Sequence, residues 1–502
     1  MTIDGHSHTT TRGAAPAAGD VPTGYNTPIP TQVTTPDRVM TRLGELEFAD
    51  GVPTHATTGL LFEHLDFLRG VEVFLNCIPA ASLEGMRRGM VGVGLDACHR
   101  AAITDRLLDS NPLFLTGNTD TVYAITMLDI ERDGPTVIEV PPGCGPGTVD
   151  DAWFRFVVDL GAPGPDRGAG GTYLIVPPGY DGERPEGWFV AETPSAVNLV
   201  ILRGFLVDGK PDAAVQLFET GVRVYPLSTR EDPPAMEWTS VSGAVVNTIH
   251  ANDLGFYEEV AQVVAKEPVD VIDPETRGLL ASIGITKDAP FEPDERMRAI
   301  LTEAAAVGNG TARAIAFRSR EADCRVYDDR RWATPFPGGD YRFLRDGGRG
   351  GRFQDARTMF FYLATVNTPA MALEMVGKGS QYALATVDVN DAPLDGGRTY
   401  RLRLPADAPA ADFWSVVVYD PQTRSELQTG QPLPSRNSKR DALEYNTDGS
   451  VDIVFGPEEP PSLASNWIQT VAGKGWFALI RLYGPLEPWF DRTWRPGDIE
   501  PA

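Results

Sequence analysis

Four hydrogen-bonding side chains follow one another at residues 118–121, immediately before the apolar run VYAITML. A carboxylate in such a turn can serve as a general acid or base, so Asp120 is the candidate catalytic residue. Amide and hydroxyl groups beside it can orient a substrate, which makes Asn118 and Thr121 candidate binding residues. The alternative is a structural Asx turn, in which Asn118 and Asp120 bond to nearby backbone.

Two arginines are embedded in apolar runs, where an unpaired charge would cost several kcal/mol to bury. Arg155 lies in WFRFVVD, and strand alternation predicts that it shares a face with Trp153. Arg481 lies in GWFALIRLY, on a face with Tyr483. Each arginine either anchors a carboxylate-binding pocket or forms half of a structural ion pair, the commoner role.

Several kinds of chemistry are excluded by pattern. The four cysteines have no C-x-x-C spacing and the histidines form no H-E-x-x-H pattern, so neither a metal site nor a redox pair is expected. The G-x-S-x-G elbow, the Walker loop and a properly spaced dinucleotide fingerprint do not occur. We therefore expect no cofactor and no bound metal.

The charge balance limits the possible partners. The chain has 44 basic and 69 acidic residues, a formal charge of -25, and such a surface repels nucleic acid and anionic lipid. Neither a basic leader with an apolar core nor an apolar run long enough to span a bilayer is found in the sequence. We expect a cytoplasmic protein whose partner is a small molecule rather than nucleic acid or membrane.

The texture of the 502 residues changes along the chain and predicts four parts. A flexible arm rich in Thr, Pro, Gly and Ala covers 1–35, and a β-rich module with leading helices covers 36–210. A helical connector follows at 211–378, and a second β-rich module at 379–502. The fold is therefore predicted to be α+β.

Helical spacing from Thr58 to Ile78 predicts one leading helix, capped by Thr57 or Thr58 and stopped by Pro79. His64 lies on its apolar stripe, where a core histidine is the usual interpretation. In the connector, Asp273 and Asp294 have the type and position of helix caps. Short apolar runs between Gly/Pro clusters predict the strands. They are 121–130, 136–140, 153–158, 172–176, 400–404, 413–419, 451–455 and 476–483.

The two β-rich modules resemble each other. AWFRFVVD can be laid over FWSVVVYD, the run from Gly171 over the run from Gly449, and Gly187-Trp-Phe over Gly475-Trp-Phe. Three short matches in the same order predict two related β-sandwich-like modules joined by helices.

The chain resembles a large bacterial family in which domains of unknown function 1254 and 1214 occur together. The first is matched by GNTDTVYAITMLDIERDGPTVIEVPPG, and the second by FWSVVVYD, SNWIQT and FALIRLYGP. The family's first motif falls on Asn118, Asp120, Thr121 and Tyr123. This sequence departs from the family at 430–438, which lacks the usual Asn-Pro and Arg-Tyr-Ser. The resemblance implies a two-domain β-rich fold and self-association, and it supplies no reaction.

Three hypotheses of function follow. The first is a hydrolase or lyase of a small organic substrate, with Asp120 as acid or base and Asn118, Tyr123 and Arg481 as orienting groups. The second is a protein that binds carbohydrate or another polar ligand without catalysis, through exposed residues at Trp414, Asn466 and Trp467.

The third hypothesis is a structural homo-oligomer. The C-terminal stretch GPLEPWFDRTWRPGDIE carries Trp489, Phe490 and Trp494, which could form a self-complementary apolar patch.

Overall fold

The computed structural model describes Thr27 and residues 29–502. The first sheet in this range is small. Most of the predicted arm, 1–35, lies outside this range, and residues 29–35 are exposed. Three strands pair antiparallel in the order β1-β2-β3. They are β1 (Arg38–Thr41), β2 (Gly44–Ala49) and β3 (Val52–Pro53).

Helix α1 (His55–Gly92) begins where Thr54 Oγ1 accepts a hydrogen bond from the Thr57 N–H at 3.3 Å. It continues through Pro79, so the predicted stop there is wrong. Residues 77–86 are all buried. Burial on every side of the helix outweighs the cost of about 3 kcal/mol for an interior proline.

The outer half of α1 is less covered than its apolar spacing predicts. Phe62 is 60% exposed and Leu68 is 48% exposed. His64 is only half-buried, so its interpretation as a core histidine is wrong. Apart from Thr57, the buried residues of α1 all lie from Gly70 onward.

The first β-sandwich consists of two facing sheets, with strand orders β13-β4-β5-β11-β7-β8 and β10-β9-β6-β12. Its core holds Val122 and Val200 from the larger sheet and Ile138 and Tyr173 from the smaller one. Its elements are β4 (Arg100–Ile103), β5 (Thr121–Asp129), α2 (Ile130–Asp133), β6 (Thr136–Val140), β7 (Gly147–Asp150), β8 (Phe156–Leu160), β9 (Gly171–Val176), β10 (Phe189–Glu192), β11 (Val197–Phe205), α3 (Asp212–Gly221), β12 (Arg223–Pro226) and β13 (Glu237–Ser240).

The interval 211–378 is less purely helical than predicted, because β12 and β13 lie in it and extend the sheets of the first sandwich. The predicted caps are confirmed. Asp273 and Asp294 each accept a hydrogen bond from a backbone N–H in the first turn of α5 and α6. The helices are α4 (Gly255–Lys266), α5 (Pro274–Ser282), α6 (Glu295–Phe317), α7 (Gln354–Leu363) and α8 (Pro369–Ala372).

The second β-sandwich has the sheet orders β14-β20-β16-β17 and β19-β18-β15-β21. Trp489 and Trp494 are 5% and 6% exposed and belong to its core, so the predicted exposed C-terminal aromatic patch is wrong. Its elements are β14 (Ser380–Ala385), β15 (Tyr400–Leu404), β16 (Ala410–Tyr419), β17 (Ser435–Asn437), β18 (Val451–Gly456), β19 (Trp467–Gln469), β20 (Phe477–Pro485), α9 (Glu487–Phe490) and β21 (Glu500–Pro501).

The two sandwiches share one strand topology. The order β5-β11-β7-β8 in the first corresponds to β14-β20-β16-β17 in the second, and β10-β9-β6-β12 corresponds to β19-β18-β15-β21. The corresponding pairs β9–β10 and β18–β19 are parallel in both copies. The prediction of an α+β fold with two related β-sandwich modules is confirmed.

Only one of the three predicted sequence matches falls on equivalent strands. The runs that begin at Gly171 and Gly449 give β9 and β18, which correspond. FWSVVVYD lies in β16, whereas AWFRFVVD leads into β8, the counterpart of β17. The runs from Gly187 and Gly475 lead into β10 and β20, which occupy different positions. The match of AWFRFVVD with FWSVVVYD and the match from Gly187 and Gly475 are therefore wrong. Similar short patterns recur wherever a turn leads into a buried strand.

A shared core joins the two sandwiches. It contains Ile125 and Ile201 from the first sandwich, Leu384 and Leu479 from the second, and Phe360 of α7 between them. The sheet that contains β5 and β11 and the sheet that contains β14 and β20 therefore each have two buried faces, one within their own sandwich and one against the helices and the other sandwich.

The described residues contain neither a candidate metal site nor a candidate membrane span. No group of three or more histidine, cysteine or acidic side chains between residues 29 and 502 is placed to hold a metal ion. In the same range, none of the helices combines the length and apolar character that a membrane span requires.

Candidate functional site

A cavity lies between the two sandwiches, where β5 and β11 of the first face β14 and β20 of the second. About 50 Å³ inside it is open to the centres of water-sized molecules. That is room for a few waters or a small organic ligand. Much of the wall is apolar and comes from the segment before β5 and from the helical region, including Phe114, Phe336 and Phe360.

Two tyrosine–arginine pairs provide the polar part of this wall. Tyr123 of β5 lies directly across from Arg203 of β11, with the arginine Cζ 5.9 Å from the ring centroid. Tyr382 of β14 lies directly across from Arg481 of β20, at 5.4 Å. Both distances fall within the range of a cation–π contact.

Both arginines face the cavity without a carboxylate partner in the described part of the chain. Arg481 Nη2 donates to the carbonyl oxygens of Thr116 and Gly117 and to Tyr419 Oη, while its buried Nε has no partner there. Arg203 donates to the sulfur of Met371 at 3.6 Å, and the side chains of Tyr123 and Tyr382 lie close to its guanidinium. A guanidinium stays protonated at any ordinary pH, so two positive charges border the cavity.

The tyrosines add hydroxyl groups. Tyr382 Oη is buried without a hydrogen-bond partner among the described residues. Burial raises the pKa of Tyr123, while Arg203 and Arg481 act in the opposite direction. Its phenol therefore remains neutral and can donate a hydrogen bond at neutral pH.

The turn before β5 holds Tyr123 in place. Asn118 Oδ1 accepts hydrogen bonds from the backbone N–H groups of Asp120 and Thr121, at 2.9 and 3.0 Å, and from Thr121 Oγ1. Asn118 Nδ2 donates to Tyr123 Oη. This is the Asx turn that the sequence allows as the structural alternative, and it positions a residue of the cavity wall.

Asp120 connects this turn to the second sandwich. The residue is fully buried, and its Oδ2 accepts hydrogen bonds from Ser415 Oγ and, at 3.3 Å, from Tyr483 Oη. Its Oδ1 accepts from Asn437 Nδ2 at 2.9 Å. The carboxylate does not line the cavity. The hydrogen bonds from Ser415, Asn437 and Tyr483 all join Asp120 of the first sandwich to the second sandwich.

Each of the two sandwiches matches a known protein-domain family. A model of proteins of unknown function, DUF1254, matches residues 100–226, and a second, DUF1214, matches residues 379–487. The chain therefore carries both domains of unknown function, DUF1254 followed by DUF1214. The DUF1254 match contains Tyr123 and Arg203, and the DUF1214 match contains Tyr382 and Arg481.

A solved structure with a TM-score above 0.5 shares this fold. The VPA0106 protein of Vibrio parahaemolyticus is 16% identical, with a TM-score of 0.53, over 87% of this chain and 99% of its own. An uncharacterized protein of Burkholderia cenocepacia is 11% identical, with a TM-score of 0.40, over 89% of this chain and 97% of its own. No curated protein shows a significant match to the chain.

Some predicted site residues of the DUF1254 and DUF1214 domains lie together. Tyr123 and Arg481 line the cavity, and Arg481 donates to the backbone of the turn that leads to Asn118. Asp120 and Tyr483 lie behind this wall, hydrogen-bonded to each other.

The predicted aromatic and amide residues of the DUF1214 domain lie elsewhere, and the expectation that they are exposed is wrong. Trp414 is 6% exposed and packs in the core of the sandwich. Trp467 is 9% exposed and donates through Nε1 to the carbonyl oxygen of Gly456. Asn466 is fully buried and bonds both the N–H and the carbonyl oxygen of Glu444.

Arg155 of the DUF1254 domain is exposed and precedes β8 rather than lying in it. It pairs with the Asp151 carboxylate and donates to the carbonyl oxygen of Val271 at 3.1 Å. Its predicted strand position is wrong, because Asp151 also accepts the Trp153 and Arg155 N–H groups and turns the backbone there. The geometry fits the structural ion pair.

Sequence reasoning missed Arg203 and Tyr382. A usable signal exists in the strands that the topology pairs: TVYAITMLD at β5 can be laid over SQYALATVD from Ser380, with Tyr123 on Tyr382. The same comparison lays LRGF over IRLY and places Arg203 on Arg481. Both cavity pairs follow from this alignment.

Glu426 is a second buried carboxyl group near Asp120. It is 2% exposed, and neither of its oxygens has a hydrogen-bond partner in the described residues. Burial, together with the charge of Asp120, raises its pKa well above the usual value, while Arg481 acts in the opposite direction. Glu426 therefore keeps its proton to a higher pH than an ordinary glutamate does.

We expect Glu426→Gln to make stability less dependent on pH. The folded protein retains a proton that the unfolded chain loses above the ordinary glutamate pKa, so this group stabilises the fold at low pH and its contribution is lost as the pH rises. Each unit of pKa difference corresponds to about 1.4 kcal/mol. Melting temperatures measured from pH 5 to 8 should show the variant gaining on the parent as the pH rises. A constant difference across this range would contradict the assignment.

Proposed function

We propose that the chain binds a small organic anion, of the carboxylate class, in the cavity between its two sandwiches. The observation that carries this proposal is the pair of guanidinium groups, Arg203 and Arg481, that line the cavity without a carboxylate partner in the described residues. They stand out in a chain whose formal charge is -25.

Electrostatics supports an anion over a neutral ligand. A buried guanidinium without a counter-charge costs several kcal/mol, and a bound carboxylate would relieve that cost. Arginine also presents parallel N–H donors that match the two oxygens of a carboxylate. The hydroxyls of Tyr123 and Tyr382 can donate to the same group, and the phenylalanines of the wall suit an apolar ligand body.

This geometry supports ligand binding better than a hydrolase or lyase reaction at Asp120. The carboxylate already accepts hydrogen bonds from Ser415, Asn437 and Tyr483, and it has no surface on the cavity. A general acid or base must reach the proton that it transfers. In our proposal Asp120 instead fixes the turn that carries Tyr123.

Carbohydrate binding around Trp414 and Trp467 has less support, since both indoles are buried within the DUF1214 sandwich. Self-association stays a prediction. The aromatic patch invoked for it contributes Trp489 and Trp494 to the core of the chain, so it would need another surface.

Arg203→Gln is the direct test of the proposed function. Calorimetric titration with butyrate and benzoate should show binding to the parent protein and weaker binding, by about tenfold to a hundredfold, to the variant. This is the range expected when one charge-assisted hydrogen bond is lost. The hydrogen bond from Arg203 to the Met371 sulfur is weak, so the variant should keep its melting temperature.

Arg223→Gln is a matched control. Arg223 also lies beside a tyrosine, 5.5 Å from the Tyr225 ring centroid, but on β12 and away from the cavity. Its substitution should leave the affinity unchanged. Butyramide and benzamide, which lack the charge, should bind much more weakly than the acids. Equal binding of acid and amide, or no loss of affinity in Arg203→Gln, would overturn the proposal.

A further inference from the structure

The cavity wall is built twice from one pattern. Strands β5 and β11 correspond to β14 and β20 in the shared topology of the two sandwiches. Within these strands Tyr123 and Arg203 are direct antiparallel partners, and so are Tyr382 and Arg481. All four side chains line the same cavity. The two sandwiches therefore present equivalent tyrosine–arginine pairs to one space.

The likeness extends to the residues beside each pair. Ile201 and Leu479 precede their arginines by two positions on β11 and β20, and both line the cavity as well. The arginine-to-ring distances agree within half an ångström, at 5.9 and 5.4 Å. Each copy thus combines one cation, one hydroxyl and one branched aliphatic side chain.

Both copies keep donors that the protein does not use. The internal hydrogen bonds of Arg481 all leave from Nη2, and its buried Nε has no partner among the described residues. The hydroxyl of Tyr382, also buried, has none there either. Arg203 donates to the Met371 sulfur. Both sandwiches therefore place arginine or tyrosine donors that lack an acceptor in the described part of the protein in side chains that line one cavity.

We propose that the ligand carries two acidic groups, as a short dicarboxylate does, and that each tyrosine–arginine pair holds one of them. This rests on the proposed function and adds the class of ligand. A monocarboxylate would leave either the buried Arg481 or the half-buried Arg203 without a counter-charge, which is costly. The small volume of the cavity favours a spacer of a few carbon atoms.

A matched ligand series tests this. Malonate, succinate and glutarate are compared by calorimetry with propionate, butyrate and valerate, which have the same chain lengths and one acid group each. We expect the best dicarboxylate to bind at least about tenfold more tightly than its monocarboxylate, the effect of one added charge-assisted hydrogen bond.

The variants assign that preference to the two pairs. Arg203→Gln and Tyr382→Phe should each lower the ratio of dicarboxylate to monocarboxylate affinity severalfold, whereas Arg223→Gln should not change it. Tyr382→Phe removes a hydroxyl without an internal partner in the described residues, so its fold is expected to persist. Circular dichroism and melting temperature check this for each variant.

The failure of this inference can be distinguished from the failure of the proposed function. Suppose that the acids bind, that Arg203→Gln weakens their binding, and that the dicarboxylates show no advantage. Both arginines then hold a single acid group, so the two-acid ligand is overturned while the proposed function stands. A dicarboxylate advantage that survives both cavity variants also overturns it. If none of the six acids binds to the folded parent protein, both proposals fail.

Discussion

We expect Asp120→Ala to lower the free energy of unfolding by about 3 to 5 kcal/mol, the cost of removing one partner from a buried charged network. The carboxylate is fully buried and accepts hydrogen bonds from Ser415, Asn437 and Tyr483. Without it, the amide of Asn437 and the two hydroxyls lose their acceptor in the dry contact between the sandwiches. The first transition in urea should move to a lower concentration.

Asp120→Asn is the graded control. Its amide oxygen can still accept from Asn437, while the hydroxyls of Ser415 and Tyr483 can rotate to accept from the new amide nitrogen. The loss should therefore stay within about 2 kcal/mol. Asp448→Ala removes an exposed carboxylate that pairs with Arg403 and should change little. Equal stability of Asp120→Ala and the parent protein would contradict the bridging role of Asp120.

The strands were predictable where turns and apolar alternation coincide. β6 and β15 have the predicted bounds, Thr136–Val140 and Tyr400–Leu404. β15 alternates between buried and exposed residues, β6 is an almost wholly buried run, and each strand is followed by a proline. Local chemistry also decides the caps, so Asp273 and Asp294 were predictable.

Long-range packing decided what local patterns could not show. Helix α1 passes through Pro79 because its second half is covered by elements far away in sequence. Gly89 illustrates this, since a Cβ there would lie 2.5 Å from the carbonyl oxygen of Asn247. The residues next to Pro79 in the sequence do not indicate this close approach of a distant segment to the helix.

The site was half visible in the sequence. The polar run before β5 led to Asn118 and Tyr123, and the charge within an apolar strand led to Arg481. Arg203 is likewise a charge in an apolar strand, but a glycine and an exposed phenylalanine follow it at the end of β11. An arginine at the exposed end of a strand is ordinarily a surface residue, so its position did not indicate a site. Only the paired strands show that Arg203 and Arg481 are counterparts.

We expect residues 380–502, produced alone, to aggregate or to form a molten state, although they contain nearly the whole DUF1214 match. The sheet β14-β20-β16-β17 turns one face into the core that it shares with α1, α7 and the first sandwich, through Tyr382, Leu384, Tyr419, Phe477 and Leu479. Without those partners this apolar face is open to water, together with the unpaired Arg481. The domain boundaries predicted near 210 and 378 would then mark sequence texture rather than independent folding units.

Size-exclusion chromatography, near-ultraviolet circular dichroism and binding of an apolar dye measure this on the purified fragment. The full chain should elute sharply with an ordered aromatic signal, whereas the fragment should elute broadly, lose that signal and bind the dye. Co-expression with residues 36–379 should restore solubility, because that piece carries the covering helices and the partner sheet. A monomeric fragment with a cooperative melting transition would show that the second sandwich folds independently.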